Sequence, residues 1–398
     1  MLWDLNFHER MQKTMVAEPG FDIERLRREE FPIAPEWAYL DHAAVSPMPN
    51  RTAEVMRQRI DTFQNPSLED GSRERLGLLS KERAGGLMNV PAAQVALQSN
   101  LGEAMAVVAN GLLWTPGDQV VIPEMEFSSL VYPWMNLQSR GVGVVWAKKH
   151  GPSTPIESIE AALTDRTRVV AVSHVEFLNG YRHDMEALGK LCAERGILLA
   201  VDATQSLGVL PIDAPAWQAD VVAAHGYKWM MAFHGIAVLY VSERAMDRIA
   251  PTLPGRQSVT GGFESLDFAL DWHPDARRYE SGGPSWIGAA AIATSLGIVE
   301  EIGIEAASRQ AMGAASRVLD GLAGIPVKTM SDLNPTHRSQ IVAFTSGSEE
   351  RDTELVRELR ARHVYVGKRN MGIRVACHFW NMEDDADRLI DGLRELVV

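Results

Sequence analysis

Short apolar runs alternate with amphipathic stretches through the middle of the chain. The runs fall at residues 120–122, 142–146, 169–172, 197–201, 221–224 and 236–241. Rich in Val and Ile, they predict strands buried on both faces. Several are separated by enough chain for a crossover helix, as at residues 185–195. Strands spaced by helices predict an α/β fold with a mainly parallel sheet covered on both sides.

The flanks read differently. Residues 1–36 form a predicted helical arm, with Phe21, Ile23, Leu26 and Phe31 as apolar contacts. Residues 37–41 (WAYLD) lead into a loop, 42–49, rich in small residues and proline, and a helix is predicted over 51–63. Pro and Gly cluster at 251–262 and again at 282–284, marking long loops. A long helix begins near Trp286 and runs past Glu300 through Ala-rich sequence. The last hundred residues alternate strand and helix and end on a helix over 383–396. The expected division is an arm (1–36) packing with a small domain, a large domain (37–287) and the smaller C-terminal α/β domain (288–398).

The chain's 398 residues exceed what one hydrophobic core supports, which agrees with two domains. With 46% apolar and 23% charged residues it reads as folded rather than disordered. A net charge of −13 repels phosphate backbones and argues against nucleic-acid binding. The two cysteines, Cys192 and Cys377, form no CxxC pair, so neither a zinc site nor a disulfide framework is expected. Unpaired thiols fit a reducing, cytoplasmic compartment. Asp4 and Glu9 interrupt the N-terminal segment, which therefore does not read as a signal peptide. No run of 18 apolar residues is present, so no membrane span is expected.

Two residues carry the first hint of chemistry. Lys228 lies in AAHGYKWMM, just after an apolar run and flanked by Trp229, Met230 and Met231. A lysine is ordinarily a solvated surface residue; a desolvated one has a lowered pKa and attacks aldehydes. Asp202 ends the run 197–201, where ligands bind in open α/β sheets. It could cap the next turn, or hold the protonated ring nitrogen of pyridoxal 5'-phosphate (PLP) and keep that ring an electron sink. It precedes Lys228 by 26 residues, room for one helix and one strand. Three further features are weaker alone. LQSNLGEA (97–104) suits a helix start that binds phosphate through Ser99, Asn100 and Gly102. Phe127 could stack on a flat ring or fill the core. Arg374, inside an apolar strand, needs an anion: a structural partner or a substrate carboxylate.

Eight segments, in order, resemble the class V aminotransferase and cysteine desulfurase family of PLP enzymes. They are YLDHAAVSPMP, SNLGEA, EMEFSSLVYPW, SHVEFLNGYRHDMEAL, VDATQSLG, HGYKW, YESGGPSWIGAAA and IRVACHFWN, spanning Tyr39 to the C-terminus. The resemblance implies PLP fold type I, with a seven-stranded sheet sandwiched by helices. It implies that Lys228 forms the Schiff base and shuttles protons, Asp202 pairs with the pyridine nitrogen, and Gln205 bonds the phenolic oxygen. Phe127 takes the ring-stacking place, where desulfurases carry histidine. Leu101 and Gly102 offer backbone amides to the phosphate, with His225 and Tyr227 beside them, and His174 lies next to the cofactor. Gly283 reaches the phosphate of the neighbouring subunit, which implies a homodimer with shared sites. Arg374 binds the substrate carboxylate, and His42, Ala43 and Ala44 line the substrate pocket. By loop position alone, Trp134, Arg256, Trp286 and Arg369 join that pocket.

Two departures from the family matter. The stretch before Arg374 (364–374) is short and has no cysteine, so desulfuration through a persulfide is not expected. The family's Gly-Pro after the lysine is Ala232-Phe233 here. The resembling subgroup includes aminotransferases, isopenicillin N epimerase-like proteins and carbon–sulfur lyases. Transamination is the first reading, with β-elimination or epimerisation as alternatives. A regulatory PLP-fold module would have lost Lys228 or Asp202, and a dinucleotide-binding dehydrogenase would need a GxGxxG that is missing.

Overall fold

The computed structural model describes residues 21–261 and 268–397, so the first twenty residues of the expected arm lie outside the described residues. Its centre is a seven-stranded sheet in the order β2-β8-β7-β6-β5-β3-β4. The strands are β2 (Val95–Gln98), β3 (Gln119–Pro123), β4 (Gly143–Ala147), β5 (Thr167–Ser173), β6 (Leu198–Asp202), β7 (Val221–His225) and β8 (Ala237–Val241). From β4 across to β7 every pairing is parallel, and β8 runs antiparallel to both its neighbours. The predicted mainly parallel sheet is therefore the one observed.

The Val and Ile runs lack polar alternation because both faces are covered. Val121, Val170, Val172, Leu199, Val201 and Val222 enter one core, while Val120, Ile122, Val169, Ala171, Leu198 and Val221 enter the other. Of the helices preceding β8, α1 (Ile23–Glu30), α2 (Asn50–Gln64), α3 (Ser72–Leu87), α6 (Ile156–Ala162) and α7 (Met185–Glu194) pack on the first side. On the second lie α4 (Leu101–Gly111) and α5 (Ser128–Met135). After β8, α8 (Glu243–Met246) leads towards α9 (Trp286–Ile302), which is buried nearly all round. The long helix expected from Trp286 stops at Gly303, where the chain turns by 84° into α10 (Ile304–Leu322). No single described helix is long and apolar enough to cross a membrane.

The C-terminal strands form a four-stranded antiparallel sheet, order β12-β13-β10-β9. Its members are β9 (Lys328–Thr329), β10 (Ile341–Thr345), β12 (Gly367–Arg369) and β13 (Gly372–Ala376), flanked by α11 (Glu349–Ala361) and α12 (Glu383–Val397). A short parallel pair, β1 (Ala38–Tyr39) with β11 (Val364–Tyr365), brings the start of the large sheet's chain to this sheet. Asp41 then bridges to Ala376, so the 42–49 loop runs from β13 towards the carboxyl ends of the central strands. The described part of the arm is fixed to the C-terminal segment at two points. Phe31 stacks on Trp380 at 4.5 Å, and Arg27 meets Asp385 of α12 at 2.8 Å.

Candidate active site

Lys228 sits in a turn just beyond β7. Trp229, Met230 and Met231 are all in the core, and the turn is tight enough that Met231 takes a left-handed φ of 52°. These apolar neighbours anchor the turn and leave the lysine only 6% exposed. Its Nζ lies 5.4 Å from the centroid of Phe127 and 5.9 Å from that of Tyr227. Burial lowers the amine's pKa to about 8, against the pull of Asp202; Arg374 and Arg369 lower it further.

Asp202 ends β6, in register with Ser173 of β5 and Ala223 of β7. Its Oδ1 accepts from the amide of Thr204 at 2.7 Å, a turn-capping bond, and its charge also reaches Lys228. Burial raises its pKa, opposed by Thr204 and then by Lys228. The turn cap read from the sequence is therefore observed, and it leaves Oδ2 available for a second partner.

Tyr227 is stacked on His234 at 4.0 Å and lies 4.9 Å from His225. Burial, then the charge of Lys228, pushes His225 down to about 4, so it is neutral at pH 7. His234 was not singled out from the sequence. The carbonyl of Tyr227 accepts from Ser46, which ties the 42–49 loop to the lysine turn. The amides of Leu101 and Gly102 open α4, where first-turn N–H groups have no partner within the helix; Asn100 caps it through Glu103. Gly283 lines a cavity of about 110 Å³ with Ser99, Glu103 and Gly235 of its own chain.

Several expectations need correction. The ring of His42 does not line a pocket: it is wholly buried among Tyr39, Trp229, His378 and Trp380, with Nδ1 on Ser46. Ala43 contributes its carbonyl to Gln205 at 3.2 Å rather than a surface to the substrate. Gln205 has its oxygen on Trp229 and one amide proton on Ala43, which leaves it a single free proton. His174 packs edge-on against Trp217 at 4.6 Å, and its amide donates to the carbonyl of Asp202 at 2.9 Å. Trp134 is core, and Trp286 lies under Arg73 beside a surface cavity between α2 and α3. A side chain on Gly283 would come within 3.5 Å of both Arg256 and Trp286, so these two border the Gly283 loop.

Arg374 is buried on β13. Its Nη2 meets Asp41 at 2.9 Å, its Nη1 donates to the carbonyl of Phe177 at 2.8 Å, and its Nε has no partner. Arg369 approaches the same carboxylate at 3.4 Å and is more exposed. Phe177, unmarked in the sequence, packs edge-on against Phe127 at 5.1 Å. Both thiols are buried; burial pushes Cys192 up to about 12 and Cys377 higher still. Among the described residues, no group of His, Cys, Asp and Glu has the makings of a metal site.

The model for class-V aminotransferases matches residues 38–384, which include every residue of this cluster. The chain belongs to the class-V aminotransferase family. A probable cysteine desulfurase of Methanothermobacter thermautotrophicus is 26% identical over 93% of this chain and 97% of its own. The apo cysteine desulfurase of Thermococcus onnurineus superposes with a TM-score of 0.85 at 23% identity, covering 96% of this chain and 99% of that one. A C-DES variant with glycine covalently linked to its PLP cofactor superposes with a TM-score of 0.84 at 20% identity, over 92% and 98%. The family resemblance and the PLP fold read from the sequence are thereby borne out.

The enzyme's cofactor is pyridoxal 5'-phosphate. The site fits it. A buried amine of lowered pKa has an acid at the neighbouring strand end and a flat apolar ring at 5.4 Å, and the first-turn amides of α4 are available for an anion. Lys228 would hold the aldehyde carbon, Asp202 the ring nitrogen, Phe127 the ring face, and Leu101 and Gly102 the phosphate.

Proposed function

We propose that this enzyme is an aminotransferase acting on an amino acid, with Lys228 as its covalent anchor and base. The observation that carries the reading is the enclosed Lys228 amine beside Asp202, with the partnerless Nε of Arg374 nearby. PLP, when bound, supplies a sink for the electron pair left at the substrate's α-carbon. Arg374 takes the α-carboxylate and orients the α-hydrogen. Lys228, its pKa near the working pH, removes that proton and returns it elsewhere. Asp202 keeps a proton on the ring nitrogen. Phe127, Phe177 and Trp229 exclude water from the amine's surroundings.

A second reading, carbon–sulfur bond cleavage, is favoured by the relatives named cysteine desulfurase. Desulfuration through a protein persulfide is not part of it, because both thiols are buried. Simple β-elimination by Lys228 needs no thiol. We also read the protein as a cytoplasmic homodimer in which Gly283 completes the neighbour's phosphate site. Purified enzyme assayed with a panel of amino acids, with and without pyruvate or 2-oxoglutarate, tests the proposal. Keto-acid-dependent turnover is the expected result. Release of sulfide and pyruvate without a keto acid would replace transamination by elimination. Borohydride should fix the cofactor to Lys228.

A further inference from the structure

Two more acids lie behind Asp202, and the reaction as read above uses neither. Glu126 leaves the end of β3, and its two oxygens accept from the amide and the hydroxyl of Ser173, each at 2.5 Å. Ser173 is the partner of Asp202 across β5 and β6. Glu176 is wholly buried. One of its oxygens lies 3.3 Å from Nε2 of His183, and the other has no hydrogen-bond partner. The turn that carries it is pinned: its amide donates to Tyr181 at 2.8 Å, and Gly180 donates back to its carbonyl at 2.9 Å. Gly180 has φ +76°, and a Cβ there would strike the carbonyl of Ile341. The backbone thus holds this carboxyl inside the protein.

The charged or titratable groups facing Glu176 are Asp202 on β6, Glu126 at the exit of β3, and His183 and Tyr181 on its own turn. Arg182 and His174 flank His183. His183 supplies no charge at pH 7, since burial pushes it down to about 3. An ionised Glu176 would have a buried oxygen with neither cation nor donor, which is the costly arrangement. Burial, then the charge of Asp202, raises Glu176 to about 8.

We propose that Glu176 is a positioning residue for Asp202: its carboxyl, buried with neither cation nor second donor, leaves Asp202 the charged acid at the strand ends, and a charge on it would add a second negative one there. That added charge strengthens proton binding at Asp202 and at the group Asp202 faces. The proposal rests on the roles read above for Asp202 and Lys228.

The holoenzyme of Glu176→Gln, which keeps the shape and removes the charge, tests it. The alkaline transition of the cofactor's visible band should move down by about half a pH unit or more, because the anion beside Asp202 is gone. Glu176→Asp should restore the original midpoint in part. Identical transitions in all three proteins would overturn the proposal. A measurement on the wild-type protein as purified avoids any folding defect. Infrared spectra should show a protonated carboxyl at pH 7, missing from Glu176→Gln, that is lost on raising the pH to 9. No such loss would overturn the proposal as well. The outcomes separate: a protein that takes up no PLP but loses the carboxyl band refutes the functional reading alone. A PLP enzyme without that loss refutes only the role of Glu176.

Discussion

Nη2 of Arg374 lies 2.9 Å from Oδ1 of Asp41, and both side chains are buried. Their meeting depends on a missing side chain. Gly367 is the partner of Arg374 across β12 and β13, and a Cβ there would sit 2.7 Å from the Asp41 carboxylate. Asp41 is held from its other side by the bridge to Ala376. The pair leaves Nε of Arg374 free for an anion. The two readings of Arg374 from the sequence, structural ion pair and carboxylate clamp, are therefore compatible.

Gly367→Ala should displace Asp41 and with it the guanidinium. Misplacing a binding group by about 1 Å can cost roughly 100-fold. We expect KM for the amino acid to rise by about 10- to 100-fold, with PLP affinity unchanged. Steady-state kinetics and a PLP titration check this. An unaltered KM would mean that the Asp41 carboxylate does not set the position of Arg374.

Arg374→Ala removes charge-assisted bonds worth about 1.5–3 kcal/mol, or roughly 10- to 150-fold in binding. Substrates with an α-carboxylate should lose that factor, while the corresponding amines without one should not. Arg374→Lys should recover little, because a point charge does not reproduce a planar fork. If amino acids and amines weaken equally, Arg374 is structural alone.

Phe127→Ala should weaken PLP itself. Ring pairs contribute about 0.5–1.5 kcal/mol beyond buried area, so the affinity should fall at least roughly 2- to 12-fold. Fluorescence titration of the apo enzyme with PLP measures it. Unchanged affinity would remove Phe127 from the cofactor's face.

The parts of this site that were legible in the sequence are those fixed by local rules. Apolar Val and Ile runs mark the two-sided sheet, and the polar residues just past them, Asp202 and Lys228, fall at its carboxyl edge. What was hidden depends on contacts between distant segments. Asp41 and Arg374 are 333 positions apart, and nothing near either names the other. His42 stands in a loop of small residues and reads as pocket lining. It turns inward because Trp229, His378 and Trp380 close around it. Glu126 and Glu176 look like ordinary acids at strand exits, and only packing shows the first half-buried against Ser173 and the second wholly buried, with the charge of Asp202 reaching both. A glutamate in the run SHVEFL, otherwise apolar after its first two residues, was the available signal for the second of them.

The last prediction concerns the stability of the apo enzyme. Lys228 has a pKa of about 8 in the folded state, against about 10.4 when unfolded. Between these values Lys228 holds less of its proton in the folded chain than in the unfolded one, so its own contribution to stability rises with pH through that window. Below pH 8 the penalty of burying the amine is fully present, at most about 3 kcal/mol. Lys228→Met should lack this contribution, so its lead in stability over wild type should shrink between pH 8 and 10. It should also make the inactive apo protein more stable than wild type at pH 7, with part of the gain offset because Asp202 loses a nearby cation. Glu176 has the opposite slope, its raised pKa lowering stability from the ordinary carboxyl range up to about pH 8, so the two windows do not overlap. Urea unfolding at pH 7, 8, 9 and 10 distinguishes the cases. The buried thiols Cys192 and Cys377, raised in pKa, pull stability down over the same range in both proteins, so a difference between wild type and Lys228→Met that stays constant from pH 8 to 10 is the result that would show the amine solvated and end the desolvation argument for its reactivity.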